Sequence, residues 1–332
     1  MSSLTTVNTP LGVFLPTEDD DKLIRRIEAL GYHSVWAGEG QGRSAFGKLE
    51  RWAMVTEELQ LATGIVNIYS RSPATIAQAT ATLDDHSDGR AILGLGVAHP
   101  GLIEDFHGIN FSRPITRMEE YVTLIRQYLG NEPSLPSSHE LSIKPSRTRF
   151  WDAFDPVRRD VPLFNGALGR SNIRLTGRLF DGWVGNMIPI ERLEEVRRWL
   201  AEGAAMGGRD EQDITVAMYI LVSVDEDPIV AARRIADHVV YYLRQIPGYY
   251  DRSLTNAGFG DAVKAIIDAP DPGTAVMQVT DELIDAISLV GTSDEAREQL
   301  TSYVDAGVDL PIIRAPTGVE PHVLDAVLTA FC

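Results

Sequence analysis

The feature that most constrains this chain is an alternation of short apolar runs with longer segments of helical periodicity. The runs are LGVFLP (11–16), HSVWA (33–37), QLATGIVNI (60–68), AILGLGV (91–97), VPLFNGA (161–167), DGWVGNMI (181–188), ITVAMYILVSV (214–224) and VDLPIIRAP (308–316). Between them lie helical patterns. DDKLIRRIEAL (20–30) repeats its apolar residues at helical spacing, and KLERWAMVTEEL (48–59) reads as the next helix. Ser72 and Pro73 form an N-cap and first-turn pair, and Thr292 with Glu295 forms a capping box. Strands alternating with helices imply right-handed βαβ units and a parallel sheet. Eight such units predict a (β/α)8 TIM barrel. A doubly wound open sheet is the competing arrangement, but it has fewer units and opens on a glycine fingerprint near the N-terminus. Two excursions interrupt the rhythm: a polar, proline-rich stretch at about 130–160 and a helical one at about 247–290. Residues 1–332 thus read as a single barrel domain.

Composition excludes several classes. The 332 residues carry a formal net charge of -17, the opposite of the basic face that binds duplex nucleic acid. The sole cysteine, Cys332, rules out an intrachain disulfide and four-cysteine zinc sites. No His/Asp/Glu spacing matches a metal motif, so no metal is expected. The N-terminal stretch lacks a signal-peptide pattern, and no apolar run reaches a membrane span. A cytoplasmic protein acting on a small molecule, without nucleic acid or membrane, is the expectation.

In such barrels the active site lies at the C-terminal ends of the strands. Three of the segments there carry chemical signals. NGALGRS leaves a strand, passes Gly166 and Gly169, and enters a helix at Arg170. Free amides at a helix start bind anions, and glycines let a phosphate approach. The same pattern also serves as a plain strand-to-helix turn. GEGQGR places Glu39 at the second strand's mouth, as an acid, base or orienting group, or as a solvated loop acid. GRAILGLGVAHP looks like a dinucleotide fingerprint whose third glycine is replaced by His99. An imidazole suits proton transfer near neutrality, though a lone histidine is more often structural. In a barrel, Gly94 and Gly96 thin the fourth strand where layers pack or a ring approaches.

These residues carry a resemblance. LATGIVNIYSRSPATIAQATATLDDHSDGRAILGLGVAHP (61–100) resembles the core signature of the luciferase-like monooxygenase superfamily of flavin and deazaflavin oxidoreductases. IRLTGRLFDGWVGN (173–186) and VGTSDEAREQLTSYVDAGVD (290–309) are similar to two further blocks of that family. YYLRQIPGYYDRSLTNAGFGD (241–261) is similar to a stretch common in its coenzyme F420-dependent oxidoreductase branch. The resemblance implies a barrel with a tricyclic ring across its mouth, backed by a bulge with a non-proline cis peptide at Gly64–Ile65. It implies a phosphate at Gly166, Ala167, Leu168, Gly169 and Arg170, with Asn67 and Gly96 also at the cofactor. The activity implied is hydride transfer between F420 and a small organic substrate, with Glu39 or His99 handling the proton. In the sugar-phosphate dehydrogenase branch a proton-donating glutamate stands where His99 falls, a role that another group could keep or that a different substrate could replace, and the absence of a clear set of basic residues for a sugar phosphate argues against that activity. Two alternatives are an FMN-dependent monooxygenase using reduced flavin and oxygen, and a non-catalytic flavin-barrel binding protein. Relatives imply a homodimer, for which KLERWAMVTEELQL, with Trp52 and Met54, offers apolar surface as readily as core.

Overall fold

The computed structural model describes residues 9–17, 20–132 and 155–332. The expected alternation is present. The first half runs β1 (Gly12–Leu15), α1 (Asp21–Ala29), β2 (Ser34–Ala37), α2 (Ala45–Ala53), β3 (Gln60–Thr63), β4 (Val66–Asn67), α3 (Pro73–His86), β5 (Ala91–Gly96) and α4 (Pro114–Leu129). The second half runs β6 (Leu163–Gly166), α5 (Arg170–Leu179), β7 (Gly182–Asn186), α6 (Leu193–Gly207), β8 (Thr215–Val224) and α7 (Pro228–Gln245). It continues through four short helices, α8 (Tyr250–Leu254), α9 (Gly260–Asp268), α10 (Pro272–Val276) and α11 (Asp281–Ile287). It ends with β9 (Ser288–Gly291), α12 (Ser293–Asp305), β10 (Leu310–Arg314) and α13 (Pro321–Thr329).

Closure of the sheet decides between the two candidate folds. The order is β10-β1-β2-β3-β5-β6-β7-β8, and β8 pairs back onto β10 from Ala217↔Leu310 to Leu221↔Arg314. All pairings are parallel. The chain is therefore a (β/α)8 barrel, and the open-sheet alternative falls away. β9 was not legible as a separate strand. It pairs with the outer half of β8, Leu221–Val224, beyond the barrel wall. The excursion at 247–290 is helical, as expected. Most of the excursion expected at 130–160 lies outside the described residues.

Inward residues fill the barrel with Phe14, Trp36, Phe164, Tyr219 and smaller apolar groups. Trp36 meets Phe164 edge-on at 5.4 Å and Tyr219 at 6.1 Å, so the interior is a packed plug rather than a pore. The signature positions at the opposite end of the barrel are structural. Buried Asp84 accepts the Ala91 amide and a bidentate Arg158. Buried Arg90 donates to Thr56 Oγ1 and to the carbonyls of Ala53, Thr56, Leu59 and Ser87.

One helix falls elsewhere than periodicity suggests. The segment expected over 48–59 starts at Ala45, capped by Ser44, and ends at Ala53. The reason is long-range. Glu28 Oε1 accepts the amides of Glu57, Glu58 and Leu59 at 2.8–3.0 Å, which removes those donors from any helix. Burial opposes the Glu28 charge, yet these bonds hold its carboxyl below the usual carboxylate value. Trp52 is fully buried against the core, so of the pair expected on an interface only Met54, 74% exposed, faces outward.

Candidate active site

A cavity of about 1380 Å³ opens at the C-terminal ends of the strands. Residues in or directly after all eight barrel strands line it, with the start of the 247–290 excursion. Its geometry begins at a bulge. β3 pairs with β5 as far as Ala62↔Ile92, and pairing resumes with β4 at Val66↔Leu95. Four steps on one side match three on the other, so one residue is extra. Thr63 bridges the gap: its hydroxyl donates to the Gly94 carbonyl and accepts the Gly94 amide, each at 2.8 Å. The peptide that follows, Gly64–Ile65, is cis.

The two β5 glycines are explained by this bulge. A β-carbon on Gly94 would collide with the Thr63 carbonyl oxygen. One on Gly96 would lie 2.5 Å from Ile65 Cδ1. Ile65 also lies 3.3 Å from the Cβ position of Gly166. The glycines thus make a trough that seats the Ile65 side chain, and Ile65, Gly64 and Gly96 line the cavity. A side chain on Gly64 would strike the Tyr219 hydroxyl, which reaches across the barrel beneath it.

On the neighbouring wall β6 delivers Gly166–Gly169 to the start of α5. Gly169 is the N-cap, and no side chain caps this helix. The amides of Arg170 and Ser171 therefore remain available at the cavity, with the macrodipole pointing the same way, whereas those of Asn172 and Ile173 donate to the Gly169 carbonyl. A β-carbon on Gly169 would meet nothing within 4 Å, so the turn is open at that point. Arg170 also lines the cavity, but its guanidinium pairs with Glu202 at 3.1 Å on the outer side. This uncapped, glycine-framed turn beside an apolar bulge fits a phosphate-bearing tricyclic cofactor.

The remaining expected residues separate. His99 lines the cavity, directly after Ala98, which adopts a left-handed φ of 55°. Such a conformation is costly for alanine and clusters at functional sites. Burial lowers the His99 pKa, with the charge of Asp105 pulling the other way. Its Nδ1 accepts the Leu102 amide, which leaves the proton of the neutral ring on Nε2. Glu39 also lines the cavity but is committed. It accepts both guanidinium nitrogens of Arg71, one at 2.8 Å, and the Ala45 amide at 2.9 Å. It holds the mouth of β2 to the start of α2. Asn67 is not brought to the cavity. It is buried, and its Oδ1 accepts the amides of Tyr69 and Ser70, closing the turn after β4.

One cluster was not anticipated. Arg314, at the end of β10, is 3% exposed and lies over the rings of Phe14 at 4.7 Å and Tyr242 at 5.0 Å. It donates to Asn186 Oδ1 at 3.1 Å and to the Tyr242 hydroxyl, while Asn186 Nδ2 donates to the Tyr250 hydroxyl at 2.8 Å. Burial pushes the phenols of Tyr219 and Tyr250 up, so both stay protonated. An arginine inside the apolar run LPIIRAP was the visible signal. Its companions come from β1, β7, β8, α7 and the excursion, which no local pattern joins.

Among the described residues no group of histidine, cysteine, aspartate and glutamate could hold a metal ion. None of the described helices is long and apolar enough to cross a membrane. The profile of the luciferase-like monooxygenase family matches residues 16–310. A 5,10-methylenetetrahydromethanopterin reductase of Methanolobus tindarius is 31% identical, over 92% of this chain and 93% of that protein. A protein of Mycobacterium tuberculosis named as a putative coenzyme F420-dependent oxidoreductase is 27% identical, over 94% of this chain and 95% of its own. The structure of the F420-dependent tetrahydromethanopterin reductase of Methanopyrus kandleri superposes with a TM-score of 0.82 at 25% identity, covering 97% of both chains. With the barrel, the bulge behind Ile65 and a profile match over most of its length, the chain belongs to the luciferase-like monooxygenase family.

Proposed function

We propose that this protein is an oxidoreductase that transfers a hydride between coenzyme F420 and a small organic substrate, residues 1–332 acting as one catalytic domain. The observation that carries the proposal is the cavity, which joins an uncapped anion-binding turn to the Ile65 bulge. Relatives named for F420 dependence along nearly the whole chain support the choice of coenzyme.

Bound F420 supplies the carbon that donates or accepts the hydride. The chain supplies the rest. The amides of Gly169, Arg170 and Ser171 hold the phosphate, and Gly166, Ala167 and Leu168 shape the approach. Ile65, seated over Gly96 and Gly166, presents an apolar surface to the ring. His99 offers its Nε2–H to the oxygen of the substrate, orienting it and stabilising charge that develops there. Glu39 keeps the mouth in shape through Arg71 rather than exchanging a proton. The start of the 247–290 excursion, which lines the cavity, helps to keep water from the reacting atoms.

Titration of the purified protein with F420 and with FMN, followed by fluorescence or calorimetry, tests this reading. F420 should bind more tightly. Binding of FMN alone, with oxygen uptake during substrate oxidation, would replace it with the flavin monooxygenase reading. Binding of neither would leave a non-catalytic barrel. A homodimer and a cytoplasmic location accompany the proposal, and sedimentation of wild type and Met54→Glu tests the first.

A further inference from the structure

The cavity contains one buried charge that its own walls do not balance; Arg43 and Arg252 also line it but are exposed. Its lining carboxylates are engaged: Glu39 with Arg71, and Glu195 with Arg192. The Arg170 guanidinium is paired with Glu202. Arg314 differs. Among the described residues no carboxylate lies within ion-pair distance of it, and its Nε has no hydrogen-bond partner although it is buried. Its acceptors are an amide oxygen and a phenol, and the rings of Phe14 and Tyr242 stack against it. A guanidinium taken out of water with only neutral partners is strongly penalised. The Tyr219 hydroxyl in the same aromatic box is also buried without a partner among the described residues, and the Phe14 and Tyr219 rings lie 4.7 Å apart. Two unmatched donors therefore share one end of the cavity.

We propose that Arg314 and Tyr219 form a receptor for an anionic oxygen group of the substrate, of which a carboxylate is the type. The fork of a guanidinium matches the two oxygens of a carboxylate, and a phenol adds a third donor. β10 and β5 stand on opposite sides of the closed sheet, so Arg314 faces the cavity from the side away from His99, while the Tyr219 hydroxyl reaches across toward Gly64. A substrate anchored by its anionic end at Arg314 can present its reacting carbon toward the His99 side. The assignment of this anion to the substrate rests on the oxidoreductase reading, whereas the receptor itself does not.

Small probes test the receptor without turnover. Binding of benzoate and of its neutral counterpart benzamide is measured calorimetrically on the full-length protein without coenzyme, and F420 titrations are run separately. Wild type should prefer benzoate by roughly tenfold or more. Arg314→Gln should abolish the preference, and Tyr219→Phe, which removes a partnerless hydroxyl with no loss of ring volume, should reduce it several-fold while leaving Tm unchanged. Equal binding of the two probes by wild type, or an unaltered preference in both variants, overturns the receptor. Loss of F420 affinity in Arg314→Gln, with no benzoate preference in wild type, assigns the anion to the coenzyme and overturns the substrate assignment. A benzoate preference lost in both variants, in a protein that fails to bind F420, upholds the receptor and overturns the coenzyme reading instead.

Discussion

His99 Nδ1 accepts the Leu102 amide at 3.3 Å, in a bond shared with the His99 carbonyl at 3.1 Å, and the contact favours the Nε2 edge of the imidazole as the donor. A protonated ring would turn a second N–H against the Leu102 amide, which compounds the effect of burial on its pKa. His99 therefore acts as a neutral donor at neutral pH. His99→Ala should lower kcat by about 10²-fold, within the range for a positioned proton-handling group. His99→Gln, which keeps a side-chain donor, should recover part of that loss. Coenzyme affinity should be unchanged in both. Protonation, which sets in below the ordinary imidazole value of about 6.5, keeps the Nε2–H but turns the new Nδ1–H against the Leu102 amide and displaces the ring, so wild-type activity should fall on the acid side; pH–rate profiles should show this limb disappear in the glutamine variant.

In the proposed complex Arg170 stands between two anions, Glu202 and the coenzyme phosphate. Glu202 holds it at 3.1 Å and Arg174 at 3.3 Å. A phosphate over the first turn of α5 must compete with that carboxylate. Glu202→Gln should tighten F420 binding by a few-fold, and Arg170→Ala should weaken it by about tenfold, the cost of one charge-assisted contact. Titrations at two salt concentrations should show the Arg170 contribution shrinking as ionic strength rises.

Gly96→Ala should destabilise the barrel through Ile65 alone. The added carbon would lie 2.5 Å from Cδ1 and 2.6 Å from Cγ1 of that side chain. Overpacking of this kind costs about 1–3 kcal/mol. Combining it with Ile65→Ala, which removes the colliding atoms, should return part of the loss in a denaturant-melt double-mutant cycle. Additive effects would show that the cost of Gly96→Ala does not arise from Ile65.

The buried His238 makes folding stability sensitive to acid. Its Nδ1 accepts the Thr317 amide at 3.0 Å, its ring stacks on Tyr242, and its Nε2 has no partner among the described residues. Burial, then the charge of Arg314, hold its pKa well below the usual value. The unfolded chain therefore binds a proton first, and stability present above about pH 6.5 is lost as pH falls below it. Tm measured from pH 7.5 to 5 should fall more steeply in wild type than in His238→Gln. His33 and His99, whose pKa values burial also lowers, should leave the variant a residual slope.

The barrel was legible because its two periodicities alternate cleanly, and local caps at Ser72 and Thr292 formed where the residues alone placed them. What escaped was long-range. The end of α2 is set by Glu28, thirty residues away. Glu39 looked like a free acid because nothing near it in sequence announces Arg71. Asn67 looked like a ligand for the cofactor, but its carbonyl oxygen serves the two amides that follow it. Gly94 and Gly96 were read correctly as thinning the strand, yet the Thr63 carbonyl and the Ile65 side chain that use the space could be identified only in three dimensions. Arg314 was visible as an arginine among apolar residues; that no described acid reaches it is a property of eight strands at once.

The way β8 is shared has a consequence for how such enzymes diversify. Its inner half, Ala217–Leu221, closes the barrel against β10, and its outer half, Leu221–Val224, is clasped by β9. The chain between Val224 and Ser288 thus leaves and rejoins the framework at adjacent points on one strand. It behaves as a cassette with its own fastening, bearing Tyr241, Tyr242, Tyr249 and Tyr250 on the cavity side. Its apolar cluster is made largely by its own helices, among them Val239, Leu254, Val263 and Leu283. Exchanging it whole between relatives would alter what the cavity accepts without shifting the register of any barrel strand.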